Sequence, residues 1–280
     1  MYVVNGKYKI LILSKEEKRR LKGHSKNSVT VTLPELSLTV LPEINNPIDC
    51  ACVIHGSGYS WNYVDNLYSM LSRHLTRPVR LHVYTEASRP VPAPYIKHEL
   101  IDWKISGPKK SWWYKVQLFN SEHFRGPLLY FDLDVVIAKN IDWIWQSKLK
   151  HFWAVKDFKH LWRPAYQAIN SSIMWWDTTQ FDWVWRNFLD LDLTQTIKRF
   201  HGDQDYINSV ISEQQRRYFN PDLVKSWRWQ CLDGGYDFKR RTWLTPGSGT
   251  NIRDNTAILV FHGDPKPDQI QDPVIIQYWQ

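Results

Sequence analysis

From residue 48 onward, short apolar runs alternate with stretches whose apolar residues recur at three- and four-residue spacing. Ile48 to His55 reads as a strand that ends in Gly56-Ser57-Gly58. Trp61 to Leu75 follows with Tyr63, Leu67, Met70 and Leu71 at helical spacing. Val79 to Thr85 and Ile96 to Ile101 read as two further strands, Trp112 to Phe124 as a helix, and Leu128 to Ile137 as one more apolar strand. Strand, helix and strand in this order predict an α/β fold with a mostly parallel sheet flanked by helices. Ligands of such sheets bind outside the carboxyl ends of the strands.

The second half is less regular. His151 to Val155, Ile169 to Trp176, Arg217 to Phe219 and Ala257 to Phe261 read as strands, and Gln180 to Asp190 and Asp203 to Ser212 as helices. Ahead of residue 48 the pattern differs. Lys7 to Leu13 reads as a strand, Lys15 to Lys26 is polar and basic, and Val29 to Val40 alternates as a hairpin would. Asn45-Asn46-Pro47 marks a turn. The expected division is an N-terminal β-rich extension, 1–47, and one continuous domain, 48–280. The plain reading of the basic stretch is a solvated surface; peripheral contact with an anionic membrane, or with nucleic acid, is the alternative.

Composition narrows this picture only slightly. Hydrophobic residues at 43% and charged residues at 23% belong to a globular chain rather than a disordered one. A net charge of +8 favours an anionic partner: nucleic acid, anionic lipid or a phosphorylated small molecule. Three cysteines make neither a disulfide framework nor a four-ligand zinc site, and buried reduced thiols are expected. No apolar run reaches membrane-spanning length, and the N-terminus has no signal-peptide core, so a cytoplasmic location is expected.

Four segments carry candidate chemistry. Asp132-Leu133-Asp134 interrupts an apolar run; on one continuous strand the two carboxylates share a face. Like charges so placed demand a cation or strong donors, and a divalent metal is the simplest answer. Gly202-Asp203-Gln204-Asp205 opens a helix with an apolar face. Here Asp203 as an N-cap and Asp205 as a first-turn charge are the bland alternatives. His262-Gly263-Asp264-Pro265-Lys266-Pro267 follows a strand and presents a His and a Lys. Asn170-Ser171-Ser172 places small polar residues in an apolar strand.

This order of motifs resembles the GT-A glycosyltransferases, and most of all family 8, the glycogenin and bacterial lipopolysaccharide galactosyltransferase group. That family shows an Asp-x-Asp after an apolar strand, an Asn-Ser/Ala-Gly strand, an Asp-Gln-Asp at a helix start and a late His-x-x-Gly-x-x-Lys-Pro. The similarity covers residues 48 to about 268. It extends to Val53-Ile54-His55-Gly56 with Tyr59, and to Trp113-Tyr114-Lys115-Val116-Gln117-Leu118, which sits where relatives carry Tyr-x-Arg-Leu-x-Leu. The chain departs from the family in three places. Gly263 follows His262 directly, Lys115 replaces an Arg, and Ser172 stands where Gly is common.

The resemblance implies a Rossmann-like GT-A fold, with a nucleotide-binding half over 48–137 and an acceptor-binding half over 138–280, and transfer of a hexose from a UDP-sugar to a carbohydrate or glycoconjugate acceptor, with retention of anomeric configuration. It implies Mn²⁺ or Mg²⁺ held by Asp132, Asp134 and His262, the imidazole favouring Mn²⁺. Lys266 would face the departing diphosphate. Asp203 would bind sugar hydroxyls with Lys115 and Asn170 nearby, and Gln204 and Asp205 would lie by the reacting face. His55, Tyr59 and Thr85 would meet the uracil and ribose, and Leu133, Ser171 and Gly263 complete the donor-binding set. Trp153, Trp162, Trp175, Trp176, Trp183, Trp185, Trp227 and Trp229 are available to stack on acceptor sugars or to fill the core. Two other readings stay open. One is a nucleotidyltransferase with the same acidic metal site, although no Gly-x-x-x-x-Gly-Lys loop is present. The other is a non-catalytic basic protein that binds glycan or nucleic acid.

Overall fold

In a computed structural model, the described residues are 2–4, 7–9, 46–105, 110–232, 236–237, 239–240, 242–243, 249–252 and 255–280. The chain separates into two compact units, Met1–Pro42 and Glu43–Gln280. In the first unit, β1 (Tyr2–Val4) and β2 (Lys7–Lys9) pair antiparallel. The basic stretch and the hairpin expected over 29–40 lie outside the described residues.

The second unit is built on a seven-stranded sheet. Its strands are β3 (Ile48–Val53), β4 (Val79–Thr85), β5 (Ile96–Glu99), β6 (Pro127–Phe131), β8 (Phe152–Lys156), β9 (Ile169–Asp177) and β10 (Arg216–Tyr218). A further strand, β7 (Val135–Ile137), belongs to a smaller sheet with β11 (Val224–Ser226) and β14 (Ile258–Val260). A two-stranded pair, β12 (Tyr236–Asp237) and β13 (Thr242–Trp243), completes the set. The order across the large sheet is β10-β8-β9-β6-β3-β4-β5. Neighbours run parallel except where β9 lies antiparallel to both β6 and β8. This is the mixed, mostly parallel sheet of the expected GT-A architecture.

Central strands are apolar on both faces because both faces are covered. Leu129 and Phe131 of β6 join a core with Cys50, Cys52, Leu81, Val83, Ile173 and Trp175. The intervening Leu128 and Tyr130 join the opposite core with Ala51, Tyr84, Met174 and Trp176. Helix Asn62–His74 turns Tyr63, Val64, Leu67, Met70 and Leu71 onto the first core, the stripe that helical spacing dictates. Cys50, Cys52 and Cys231 are buried, and none forms a disulfide.

The structure revises three elements. The expected strand Leu128–Ile137 is two strands in two sheets. β6 stops at Phe131, and β7 resumes at Val135 against β14. Prolonging β6 would drive two carboxylates into an apolar sheet, so the chain turns out of it at Asp132-Leu133-Asp134. The expected helix Trp112–Phe124 is one α-turn, Lys110–Trp113, followed by a 3₁₀ segment, Tyr114–Phe119. In that segment five residues are buried and the Lys115 side chain is only 12% exposed, which leaves no polar face for a surface α-helix. The expected helix Gln180–Asp190 breaks at Asp182, whose carboxylate accepts the Ser121 N–H at 2.8 Å. Helix Leu193–Arg199, β11 and the π-turn Trp227–Cys231 were not anticipated. Among the described residues no helix is long and apolar enough to cross a membrane.

Phe131 and Ile173 stand opposite each other in register, so the Asn170–Ser172 end of β9 lies beside the carboxyl end of β6. The chain also reverses here: β6 follows β5 in sequence but pairs with β3, across the sheet. Such a switch point opens a crevice at the strand ends.

Trp176 is fully buried, stacked on Phe119 at 4.9 Å and close to Phe152. Trp176→Ala is expected to lower stability by roughly 3–5 kcal/mol. Urea unfolding should show a lower midpoint with an unchanged slope.

Candidate active site

Four elements deliver one charged node. Lys115 emerges from the 3₁₀ segment, and its ammonium lies 2.8 Å from Asp132 Oδ1 and 3.7 Å from Asp203 Oδ2. Asp132 follows β6 directly and anchors there through its backbone N–H, which donates to Ser172 O at 2.7 Å. Tyr130, two residues earlier, donates its hydroxyl to Asp132 Oδ1 at 2.6 Å. Asp203 is buried at the start of helix Asp203–Val210 and accepts the Ser171 hydroxyl at 2.8 Å. The N-cap is Gly202, so Asp203 is not the cap that the bland reading supposes.

A second node adjoins the first. Asp134 Oδ2 accepts from Lys266 Nζ at 2.5 Å and from the Tyr59 hydroxyl at 2.9 Å. Leu133, between the two acids, is buried in the apolar core and offers the site only its backbone.

Environment divides the three acids. Burial opposes ionisation of Asp132, but Lys115 and hydrogen bonds from Lys115 and Tyr130 outweigh it and hold the carboxyl below its ordinary range. Burial and then the charge of Asp132 hold Asp134 above that range, despite Lys266 and Tyr59. Asp203 is also raised, by burial against the pull of Lys115 and Ser171. Burial works against the charge of Lys115, yet Asp132 and Asp203 raise its pKa.

The remaining expected residues fall as follows. Gln204 is pinned at both ends of its amide: Oε1 accepts the Ser171 N–H at 3.2 Å, and Nε2 donates to Asp157 Oδ2 at 3.0 Å. Asp205 does not join them. Two residues along a helix is about 200° around its axis, so Asp205 is exposed and accepts the His201 N–H at 3.3 Å. Asn170 turns its Oδ1 to the Ser172 N–H at 3.1 Å. His55 stacks on Tyr114 with ring centroids 3.9 Å apart. Beside it, Gly56 has a positive φ of 69°, and its N–H donates to Glu86 Oε1 at 2.6 Å. Thr85 donates its hydroxyl to Glu86 at 2.6 Å. Glu86 is held at about 2, burial being outweighed by hydrogen bonds from Arg89 and Thr85.

His262 is placed differently from expectation. Its Nε2 is paired with the Ser226 hydroxyl at 2.6 Å, and its ring stacks on Phe158 at 5.5 Å. Burial, then the charges of Arg228 and Lys266, lower its pKa to about 4, which leaves the ring neutral near pH 7. Gly263 has a φ of 77°, and a Cβ there would lie 3.6 Å from the Arg228 guanidinium. Among the described residues no three His, Cys, Asp or Glu side chains are gathered into a metal-holding set. The expected trio is therefore not assembled: Lys266 takes Asp134, Lys115 takes Asp132, and Ser226 takes the imidazole. The acids nonetheless suit a divalent cation. Three carboxylates (Asp132, Asp134, Asp203) face two ammonium groups (Lys115, Lys266), leaving one negative charge over, and Asp134 is raised partly by Asp132. Hard carboxylate oxygens are the donors that Mg²⁺ and Mn²⁺ take.

Tyr130, Asp157, Glu86, Ser226 and Arg228 escaped the sequence reading. Only Tyr130, two residues before Asp132 and on the same face of an extended chain, left a usable signal there.

Lys115→Met is expected to destabilise the protein by roughly 3–5 kcal/mol near neutral pH, since two buried carboxylates lose their cation. In the wild type the lowered Asp132 contributes stability above its unfolded pKa, lost as pH falls through the folded value. In the variant, burial is opposed chiefly by the Tyr130 and Ser171 hydrogen bonds, so Asp132 and Asp203 are raised, and groups of that kind lose stability as pH rises through the folded value. The deficit should therefore narrow between about pH 7 and about pH 4. Urea midpoints across that range check it, and a constant deficit contradicts it.

No protein-family description matches the chain, and no curated protein does. Solved structures do. The galactosyltransferase LgtC in complex with donor and acceptor sugar analogues is similar over 79% of this chain and 89% of its own, at 13% identity and a TM-score of 0.51. The apo glycosyltransferase GlyE of Streptococcus pneumoniae TIGR4 matches 79% of this chain and 56% of its own, at 12% identity and a TM-score of 0.56. The bifunctional glycosyltransferase WbbM matches over 81% and 47%, at 11% identity and a TM-score of 0.53. The backbone that carries the two acidic nodes is therefore the GT-A glycosyltransferase fold, in the form that LgtC shares.

Proposed function

We propose that the protein is a metal-dependent, retaining glycosyltransferase that moves a hexose from a UDP-sugar to a carbohydrate or glycoconjugate acceptor. One observation supports this most. A single buried ammonium, Lys115, gathers the acids of two motifs about 70 residues apart in the chain into one node at the strand ends. Similarity to solved sugar transferases, one of them holding donor and acceptor analogues, supports the same reading.

Breaking the bond between the anomeric carbon and a diphosphate puts negative charge on the leaving group and positive character on the sugar. Catalysis needs fixed charges aimed at both. Asp132 and Asp134 would hold Mn²⁺ or Mg²⁺, which supplies Lewis-acid neutralisation of the diphosphate. Lys266, between Asp134 and the His262 turn, brings a second positive charge to the same leaving group. Asp203, fixed by Lys115 and the Ser171 hydroxyl, accepts hydrogen bonds from donor sugar hydroxyls. Gln204, clamped between Ser171 and Asp157, presents a rigid amide beside that sugar. Tyr59 and the His55–Tyr114 stack border the nucleoside. The net charge of +8 draws the anionic donor toward the protein.

A panel of UDP-hexoses assayed with Mn²⁺ is expected to release UDP, with loss of turnover in chelator and recovery on adding the metal back. Asp134→Asn should lower kcat/KM by about 100-fold or more. Turnover indifferent to chelator, or release of pyrophosphate in place of UDP, contradicts the reading. Retention is checked by the anomeric proton coupling of the product.

A further inference from the structure

The small sheet of β7, β11 and β14 gathers charge at one of its ends. β11 runs parallel to β14 with Ser226 opposite Val260, and β7 runs antiparallel to β14 with Val135 opposite the same Val260. The chain after Ser226, the chain after Val260 and the chain before Val135 therefore leave the sheet at one end. The last two bring His262 and Asp134 into the site. The first is the π-turn Trp227–Cys231, and it carries Arg228.

Arg228 lies against the late turn. A Cβ built on Gly263 would lie 3.6 Å from one terminal nitrogen of the guanidinium and 4.0 Å from the other. Ser226 Oγ pairs with His262 Nε2 at 2.6 Å and accepts the Trp229 N–H at 3.1 Å, which fixes the chain on both sides of the arginine. After burial, the charges of Arg228 and then Lys266 lower the His262 pKa, so both cations stand near one imidazole. Their partners differ. Lys266 is taken by Asp134 at 2.5 Å. Arg228 is half-buried, yet among the described residues no carboxylate comes within ion-pair distance of it. A cation partly withdrawn from water and left without a counter-charge is costly. Beside a glycine turn, and next to a second cation, it offers the fork that suits a phosphate.

We infer that the Arg228 guanidinium is a further ligand of the departing nucleoside diphosphate and, with Lys266, takes its terminal phosphate. This rests on the glycosyl-transfer reading above. The terminal phosphate is the one bonded to the sugar, and it gains negative charge as that bond breaks. Lys266 shares its charge with Asp134, whereas the charge of Arg228 is not spent on an acid of the fold.

The test measures binding of UDP, UMP and inorganic pyrophosphate to the full chain by calorimetry in Mg²⁺ buffer. Arg228→Gln should weaken UDP binding about tenfold or more, and binding of UMP, which lacks the outer phosphate, less than about threefold. Arg228→Lys, which keeps the charge but not the fork, should fall between Arg228→Gln and the wild type. Arg217→Gln removes the same net charge from an exposed arginine that donates to the Gln214 and Arg216 carbonyls, and should bind all three probes as the wild type does. Equal UDP affinity in Arg228→Gln and the wild type overturns the inference and leaves the donor reading standing. A parallel loss of UDP and UMP binding also overturns it, by making the arginine structural. Pyrophosphate bound by the wild type and lost in Arg228→Gln, with UDP bound by neither, keeps the phosphate site and defeats the donor reading. A wild type that binds neither UDP nor pyrophosphate overturns both.

Discussion

The structure turns on keeping one ammonium charged away from water. Burying Lys115 works against its charge, and the neighbouring carboxylates, Asp132 and then Asp203 foremost, reverse that. The Ser171 hydroxyl at 3.3 Å and the Tyr130 ring at 5.6 Å complete its surroundings. These partners come from β6, β9 and the helix that begins at Asp203. The ammonium therefore fixes how the 3₁₀ segment, two strands and a helix meet. Buried ion pairs of this type are poor sources of stability, and apolar residues of similar volume often serve as well or better. Stability alone is a weak reason to place charges here; positioning charge at the end of a sheet is a stronger one.

The same low-dielectric setting gives three aspartates different characters. Asp132 is compensated and stays a carboxylate, whereas Asp134 and Asp203 are held above their ordinary range. The uncompensated part of their charge is what an incoming cation or a sugar hydroxyl would answer. On the proposed function, such an arrangement would hold in reserve an affinity that a fully neutralised cluster would lack.

Much of this was legible in the sequence, for physical reasons that differ by region. Val79–Thr85 and helix Asn62–His74 were readable because apolar alternation and helical spacing report burial directly. The Asp132 run misled for the same reason: its flanks are equally apolar, and periodicity cannot show that the chain changes sheets between Phe131 and Val135. Asp203 and Asp205 look equivalent as text but are separated by the helical turn, which buries one and exposes the other. Asp157 and Ser226 were invisible, because each acquires its role only from a distant partner: Gln204 and His262. Long-range hydrogen bonds of that kind leave no local pattern.

The break after Phe131 does more than remove two acids from the large sheet. It passes the chain to a second sheet, where β7 pairs antiparallel with β14 and Val135 stands opposite Val260. In that register Asp134 precedes the strand just as Phe261 and His262 follow their own, so the two ends arrive side by side. Gly263, at positive φ, then lets the backbone turn back, and Lys266 reaches Asp134. Parallel pairing of β11 with β14 sets Ser226 opposite Val260, within reach of the His262 ring. A three-residue exit from one strand thereby determines where a lysine 132 positions later must lie. Lengthening or shortening the Asp132–Asp134 segment by one residue would flip the β7 register against β14 and carry Asp134 away from that lysine. Spacing at this point, more than residue type alone, joins the acidic motif to the late basic one.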